Sequence, residues 1–278
     1  MPPRGGAQRR QGDAVMAMLV GAAVKRRMAD GAGRHDVCRK SLSSGYFERS
    51  SQPLTALLFL LPLLAIYEVG TWYLATDHAR KIEQRVIAFN LLRDFLGLFG
   101  ATGRYLPPLA VVGVLLAWHV ARRDPWVVHW GTVAVMVIES LLLGLPVLAL
   151  GICLRRFLLP LVAGAHPGSE VVLSIGAGIY EELMFRLLGF TVLNIVLIDL
   201  LAMRKVLGYI AIVSISSVLF SLYHYLGAES FNWETFVFRT MAGAYFGVVF
   251  LIRGFGITAG SHAAYDLIRF GLVLRGGP

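Results

Sequence analysis

The chain has 278 residues, of which 56% are hydrophobic and only 15% charged, and its mean hydropathy is +0.66. That balance excludes an ordinary soluble domain and predicts an all-α fold, a polytopic transmembrane helical bundle. The net charge of +9 does not point to nucleic acid, because residues 1–50 carry ten Lys/Arg against four Asp/Glu and so hold +6 of it; a basic flank beside a membrane span follows from the positive-inside rule and from attraction to anionic lipid. Membrane lipid, not nucleic acid, is the expected partner of this surface.

In chain order, the opening "MPPRGGAQRRQGD" lacks a sustained apolar period, and residues 1–50 are expected to form a basic, largely disordered tail ahead of a transmembrane domain over 51–278. "VMAMLVGAAV" is short, is followed by "KRR" and does not read as a signal peptide; Met16, Met18 and Met28 leave a later start open. Apolar runs of about 20 residues, enough to cross a bilayer, follow near 53–75, 105–121, 128–153, 170–200, 204–226, 234–252 and 256–274. An amphipathic helix is predicted near 82–99, where Ile82, Val86, Phe89, Leu92 and Phe95/Leu96 recur at helical spacing. The count is about seven or eight helices, joined by short linkers such as "ARRDPW", "HPGS" and "RGFG". No internal repeat is apparent. Cys38 and Cys153 form neither ligand spacing nor a disulfide framework.

Ionisable residues inside spans are costly and mark internal or functional faces. Those present are Glu68, Glu139, Glu181, Glu182, Arg186, Asp199, His224, Arg239, His262 and Asp266. Glu68, Glu139, Asp199 and Arg239 belong to no motif and are read as structural. His35, His78, His119, His129 and His166 scatter without ligand spacing. Glu182 and Arg186 are four apart, one turn along one helix face, and can neutralise each other. Glu181, rotated by about 100° on the helix, is left free for chemistry. Ser174, Gly176, Ala177 and Gly178 just before it allow another helix to approach closely.

Two further spans supply partners. "LFSLYHYLG" places Phe220 one turn below His224, and "GSHAAYDLIRF" puts His262 and Asp266 on one face. Three helices could therefore bring a glutamate, two histidines and an aspartate to one intramembrane cavity. A carboxylate beside imidazoles can activate water, with His or a protonated Asp donating to an oxyanion. Glu181, His224 and His262 could instead hold zinc with an open water position. Both chemistries stay open.

"EELMFR", "FSLYH" and "HAAYD" read as EExxxR, FxxxH and HxxxN/D, in that order and on separate apolar segments. Together they resemble the CPBP family of intramembrane proteases, named for CAAX proteases and bacteriocin-processing enzymes and also called the Abi family, over residues 170–274. The resemblance implies an intramembrane endopeptidase, a hydrolase acting on a peptide or membrane-anchored protein substrate. It makes Glu181 the water-activating residue with help from His224. His262 and Asp266 would support the oxyanion or the water, and Glu182, Arg186 and Phe220 would hold the site together. It also allows a metallopeptidase, with zinc on Glu181, His224 and His262. Two departures are visible: Leu187 and Leu188 separate Arg186 from Gly189, and position 266 is Asp where the prenyl-protein branch has Asn. The expected location is a multi-pass position in a bacterial cytoplasmic membrane. The alternative is a non-enzymatic scaffold or a proton-coupled carrier using the same buried polar residues.

Overall fold

A computed structural model describes residues 45–77, 82–154, 167–227 and 229–276. Most of the expected basic tail, with Cys38, His35 and the candidate later starts, lies outside the described residues, as do His78 and His166. The last residues assigned to that tail are ordered. Tyr46–Ser50 forms a short helix, α1, because Tyr46 donates a hydrogen bond to Glu139 and Ser50 receives one from Arg253 (3.0 Å).

The remaining helices are α2 (Pro53–Leu74), α3 (Ile87–Gly97), α4 (Leu106–Arg122), α5 (Trp130–Cys153), α6 (Pro167–Leu200), α7 (Lys205–Leu226), α8 (Trp233–Arg253) and α9 (Phe255–Gly276). Between α2 and α3 lies a two-residue antiparallel pair, β1 (Thr76–Asp77) with β2 (Ile82–Glu83), Thr76 facing Glu83. The fold is all-α apart from this pair. Among the described residues five helices, α2, α5, α6, α7 and α8, are long and apolar enough to cross a membrane, which makes the chain a multi-pass membrane protein.

The predicted amphipathic helix is present but begins at Ile87 instead of near 82. The Gln84 amide donates to Ala75 O (2.8 Å), which keeps the chain extended there. The Arg85 side chain is drawn back onto α2 by a bidentate pair with Glu68 (2.8 and 2.9 Å). Burial opposes the charge on Arg85, yet hydrogen bonding to Glu68 overrides it and holds the guanidinium above its ordinary pKa.

α9 is the hub, packing against α2, α5, α6 and α8. It is not among the five apolar spans and takes its place through burial, residues 255–265 being almost wholly enclosed. Small residues make this possible. A Cβ added to Gly178 on α6 would stand 2.7 Å from both Ala259 O and Ala263 Cβ. Gly254 has φ 80°, open to glycine and strained for other residues, and this lets α8 turn directly into α9.

Candidate active site

Three helices bring the polar residues together. On α6, the α-helical run ends at Glu182 and a π-helical turn spans Leu183–Leu188. Such turns frequently sit at functional sites, because the wider winding frees carbonyls and re-aims side chains. The chain accommodates it at two points. Gly189 donates to Met184 O across the wider turn, and Ser216 of α7 donates to Phe185 O (3.0 Å).

Glu181, Glu182, Arg186 and His262 are all at least 95% buried. Glu182 Oε1 takes the Arg186 Nη1 at 3.0 Å, as the four-residue spacing implies, and is shared with His262 Nδ1 at 2.7 Å. Arg186 also donates through Nη2 to Gly243 O of α8 (3.1 Å), while its guanidinium lies 4.4 Å from the centre of the Phe220 ring. Glu182 and Arg186 thus tie α6 to both α8 and α9.

Glu181 faces a different set of groups. Its Oε1 accepts a hydrogen bond from the Tyr223 hydroxyl at 2.8 Å. Its Oε2 lies 3.9 Å from His224 Nε2 and 3.8 Å from His262 Nε2. These gaps are too long for direct hydrogen bonds and suit a bridging water. His224 Nδ1 is 2.8 Å from Phe220 O, so Nδ1 carries the proton and the Nε2 lone pair faces Glu181. His262 Nε2 also lies 3.5 Å from Asp266 Oδ2.

Aromatic rings fix both imidazoles. Phe246 stacks on His262 with centroids 4.8 Å apart, and Phe220 meets His224 edge-on at 5.0 Å. All four polar residues line one cavity of about 610 Å³, whose wall also includes Glu170, Glu229, Arg239 and Arg269. The structure therefore brings Glu181, His224, His262 and Asp266 together, with Phe220 beside them on the wall and Glu182 and Arg186 behind.

Sequence reasoning did not single out Tyr223 or Phe246, and it read Arg239, which lines the cavity, as structural. Tyr223 adjoins His224 and lies three residues after Phe220, a spacing that already put it near the site face. Phe246 reaches His262 only across an interface between helices, so no spacing within one helix reveals it.

The donor set Glu181, His224 and His262 is of the kind zinc takes. The Glu181 oxygen stands 3.8 and 3.9 Å from the two histidine nitrogens, wider than the about 3.3 Å between ligand atoms of a tetrahedral site with bonds of about 2.0–2.1 Å. Among the described residues, no three His, Cys, Asp or Glu side chains are grouped to hold a metal.

The chain is a multi-pass helical bundle with Glu181, two histidines and an aspartate on the wall of one cavity and Glu182 buried beside it. Residues 168–268, from α6 into α9, match the family model described as type II CAAX prenyl endopeptidase Rce1-like, which is of the CPBP kind that the three motifs resemble. No curated protein and no solved structure was found to match the chain.

Proposed function

We propose that the chain is an endopeptidase that hydrolyses a peptide bond of a membrane-associated substrate, with Glu181 as the general base toward water and a prenylated C-terminal peptide as the substrate class. The observation that carries this reading is the position of Glu181 Oε2, 3.8–3.9 Å from two imidazole nitrogens at the wall of the cavity. The family match supports the peptidase class.

In this reading a water sits between Glu181 Oε2 and His224 Nε2, donating one proton to each. As its oxygen attacks the scissile carbonyl, Glu181 takes the proton and the carbonyl oxygen becomes an oxyanion. His262, protonated on both ring nitrogens, donates Nδ1–H to Glu182 and Nε2–H to that oxyanion. Asp266 orients the Nε2 side of the ring. Glu181 then passes its proton to the leaving nitrogen, the C–N bond breaks, and the second water proton passes from the new carboxyl group by way of His224 Nε2 to the amine, so that a carboxylate and an ammonium leave. Tyr223 holds the other carboxylate oxygen still, so that Oε2 faces the water.

The test is cleavage of a fluorescent peptide ending in a prenylated Cys, two aliphatic residues and a terminal residue, by purified chain in lipid vesicles, with and without chelator. Cleavage that survives the chelator is expected. Loss with chelator and rescue by added zinc would replace the metal-free steps with zinc on Glu181, His224 and His262. No cleavage of prenylated, unprenylated or anchored peptides would overturn the peptidase reading in favour of a scaffold or carrier.

A further inference from the structure

One part of the cavity wall has no role in the steps above. Arg239, on the second turn of α8, lines the cavity together with Glu229 from the α7–α8 connection. The two form a fork, Nη1 to Oε1 at 2.9 Å and Nη2 to Oε2 at 2.8 Å. Their surroundings are unequal. The Arg239 side chain is 16% exposed, whereas that of Glu229 is 41% exposed.

The arginine is held in place by its helix. Asn232 caps α8 by accepting from the Glu234 and Thr235 amides (2.9 and 3.2 Å). Tyr225, beside His224, bonds Asn232 O and Thr235 Oγ1 (3.0 and 2.8 Å), and its ring lies 5.7 Å from the Arg239 guanidinium. The glutamate lies outside the helices and takes both arms of the fork, while the Tyr225 ring lies beside the guanidinium. A planar guanidinium already presenting two N–H groups in parallel fits a carboxylate of any origin.

We infer that Arg239 is the carboxylate-reading residue of the cavity, that the carboxylate of a bound peptide takes the fork, and that Glu229 is a placeholder displaced when it does. This deepens the peptidase reading and rests on it for the identity of the peptide. Arg269, the other arginine on the wall, is a weaker reader. Its Nε lies 3.9 Å from Asp266 Oδ1 without a fork, and Glu170 lies on the same wall. Arg239 would set where the chain's peptide end lies and hence which bond faces Glu181. It is a positioning residue, not a catalytic one.

The placeholder arrangement makes an unusual prediction: changes to the two members of one ion pair act in opposite directions. Binding and cleavage are measured on the full chain in vesicles with the prenylated peptide as free acid, as C-terminal amide, and as amide carrying a terminal Glu side chain. The wild type should bind the free acid about tenfold or more tighter than the plain amide, the range for a charge-assisted fork. Arg239→Gln should erase that preference, and Arg239→Lys should keep part of it, because it keeps the charge and loses the fork. Glu229→Gln should tighten acid binding by about two- to fivefold, since an exposed ion pair holds the arginine only weakly. Tight binding of the Glu-bearing amide would assign the carboxylate to a side chain, and weak binding to the chain terminus; either keeps the carboxylate reading.

Equal binding of acid and plain amide by the wild type overturns the inference, and this arm needs no variant to fold. Weakening by both Glu229→Gln and Arg239→Gln also overturns it, since that is the signature of a merely structural pair. The binding arms decide the inference whether or not cleavage occurs. Failure of cleavage, by contrast, counts against the peptidase reading alone.

Discussion

Glu181 and Glu182 are neighbours in sequence, and their partners separate them. Glu182 is consumed by a buried network with Arg186, His262 and, through Arg186, the Gly243 carbonyl. Breaking one member of a buried charged set leaves the others unpaired, at a cost of about 3–5 kcal/mol. Arg186→Met should therefore lower the melting temperature sharply, as read by thermal denaturation in detergent, while Arg186→Lys recovers part of the loss. Among the described residues, Glu181 takes its direct hydrogen bond from Tyr223, on one oxygen. Tyr223→Phe removes a hydrogen bond to a charged group, worth about 1.5–3 kcal/mol. It should reduce the cleavage rate by about tenfold or more and lower the melting temperature by a few degrees. The division between the two glutamates was legible from the four-residue spacing of Glu182 and Arg186. The Tyr223 contact was not, because a hydroxyl of an apolar-looking residue bonding across two helices leaves no periodic mark.

At the scale of elements, the site depends on how closely α6 and α9 approach and on the π turn after Glu182. Gly178→Ala would force a Cβ to within 2.7 Å of the Ala259 carbonyl, a backbone atom that cannot swing aside. It should cost about 1–3 kcal/mol through overpacking and shift His262 away from Glu181, lowering both melting temperature and cleavage. Gly113→Ala on α4, where nothing lies within 4 Å, is the control and should be neutral or slightly stabilising. Ser216→Ala leaves Phe185 O without its side-chain donor and should cost about 1 kcal/mol in thermal stability. The long spans were legible because sustained hydropathy over about 20 residues admits few other readings. The start of α3 was not. The apolar period runs on through Ile82 and Val86, but the Gln84 amide to Ala75 and the Arg85 clamp on Glu68 keep those residues extended.

Across the whole molecule, residues 255–265 of α9 are enclosed by their neighbours, whereas the outward faces of α2, α5 and α7 carry exposed Val69, Ile138, Leu142 and Ile210, suited to lipid. Ion pairs tie the periphery to this bundle. Arg253 binds Glu139, which also receives the Tyr46 hydroxyl, and burial with that carboxylate pushes the Tyr46 pKa up to about 12. Arg85 joins Glu68 and Glu83. The three ordered motifs made convergence foreseeable, but which helix stands at the centre was not, since contacts through Gly178, Ala259 and Ala263 depend on partners far apart in sequence. The central claim is that Glu181 activates water in this cavity, and the most direct measurement is the cleavage rate of Glu181→Gln beside the wild type, in the same vesicles and with matched melting curves. The account predicts a loss of about 10²–10⁴-fold with the fold intact, the contribution of a positioned general base. Cleavage by the folded variant at the wild-type rate would contradict it.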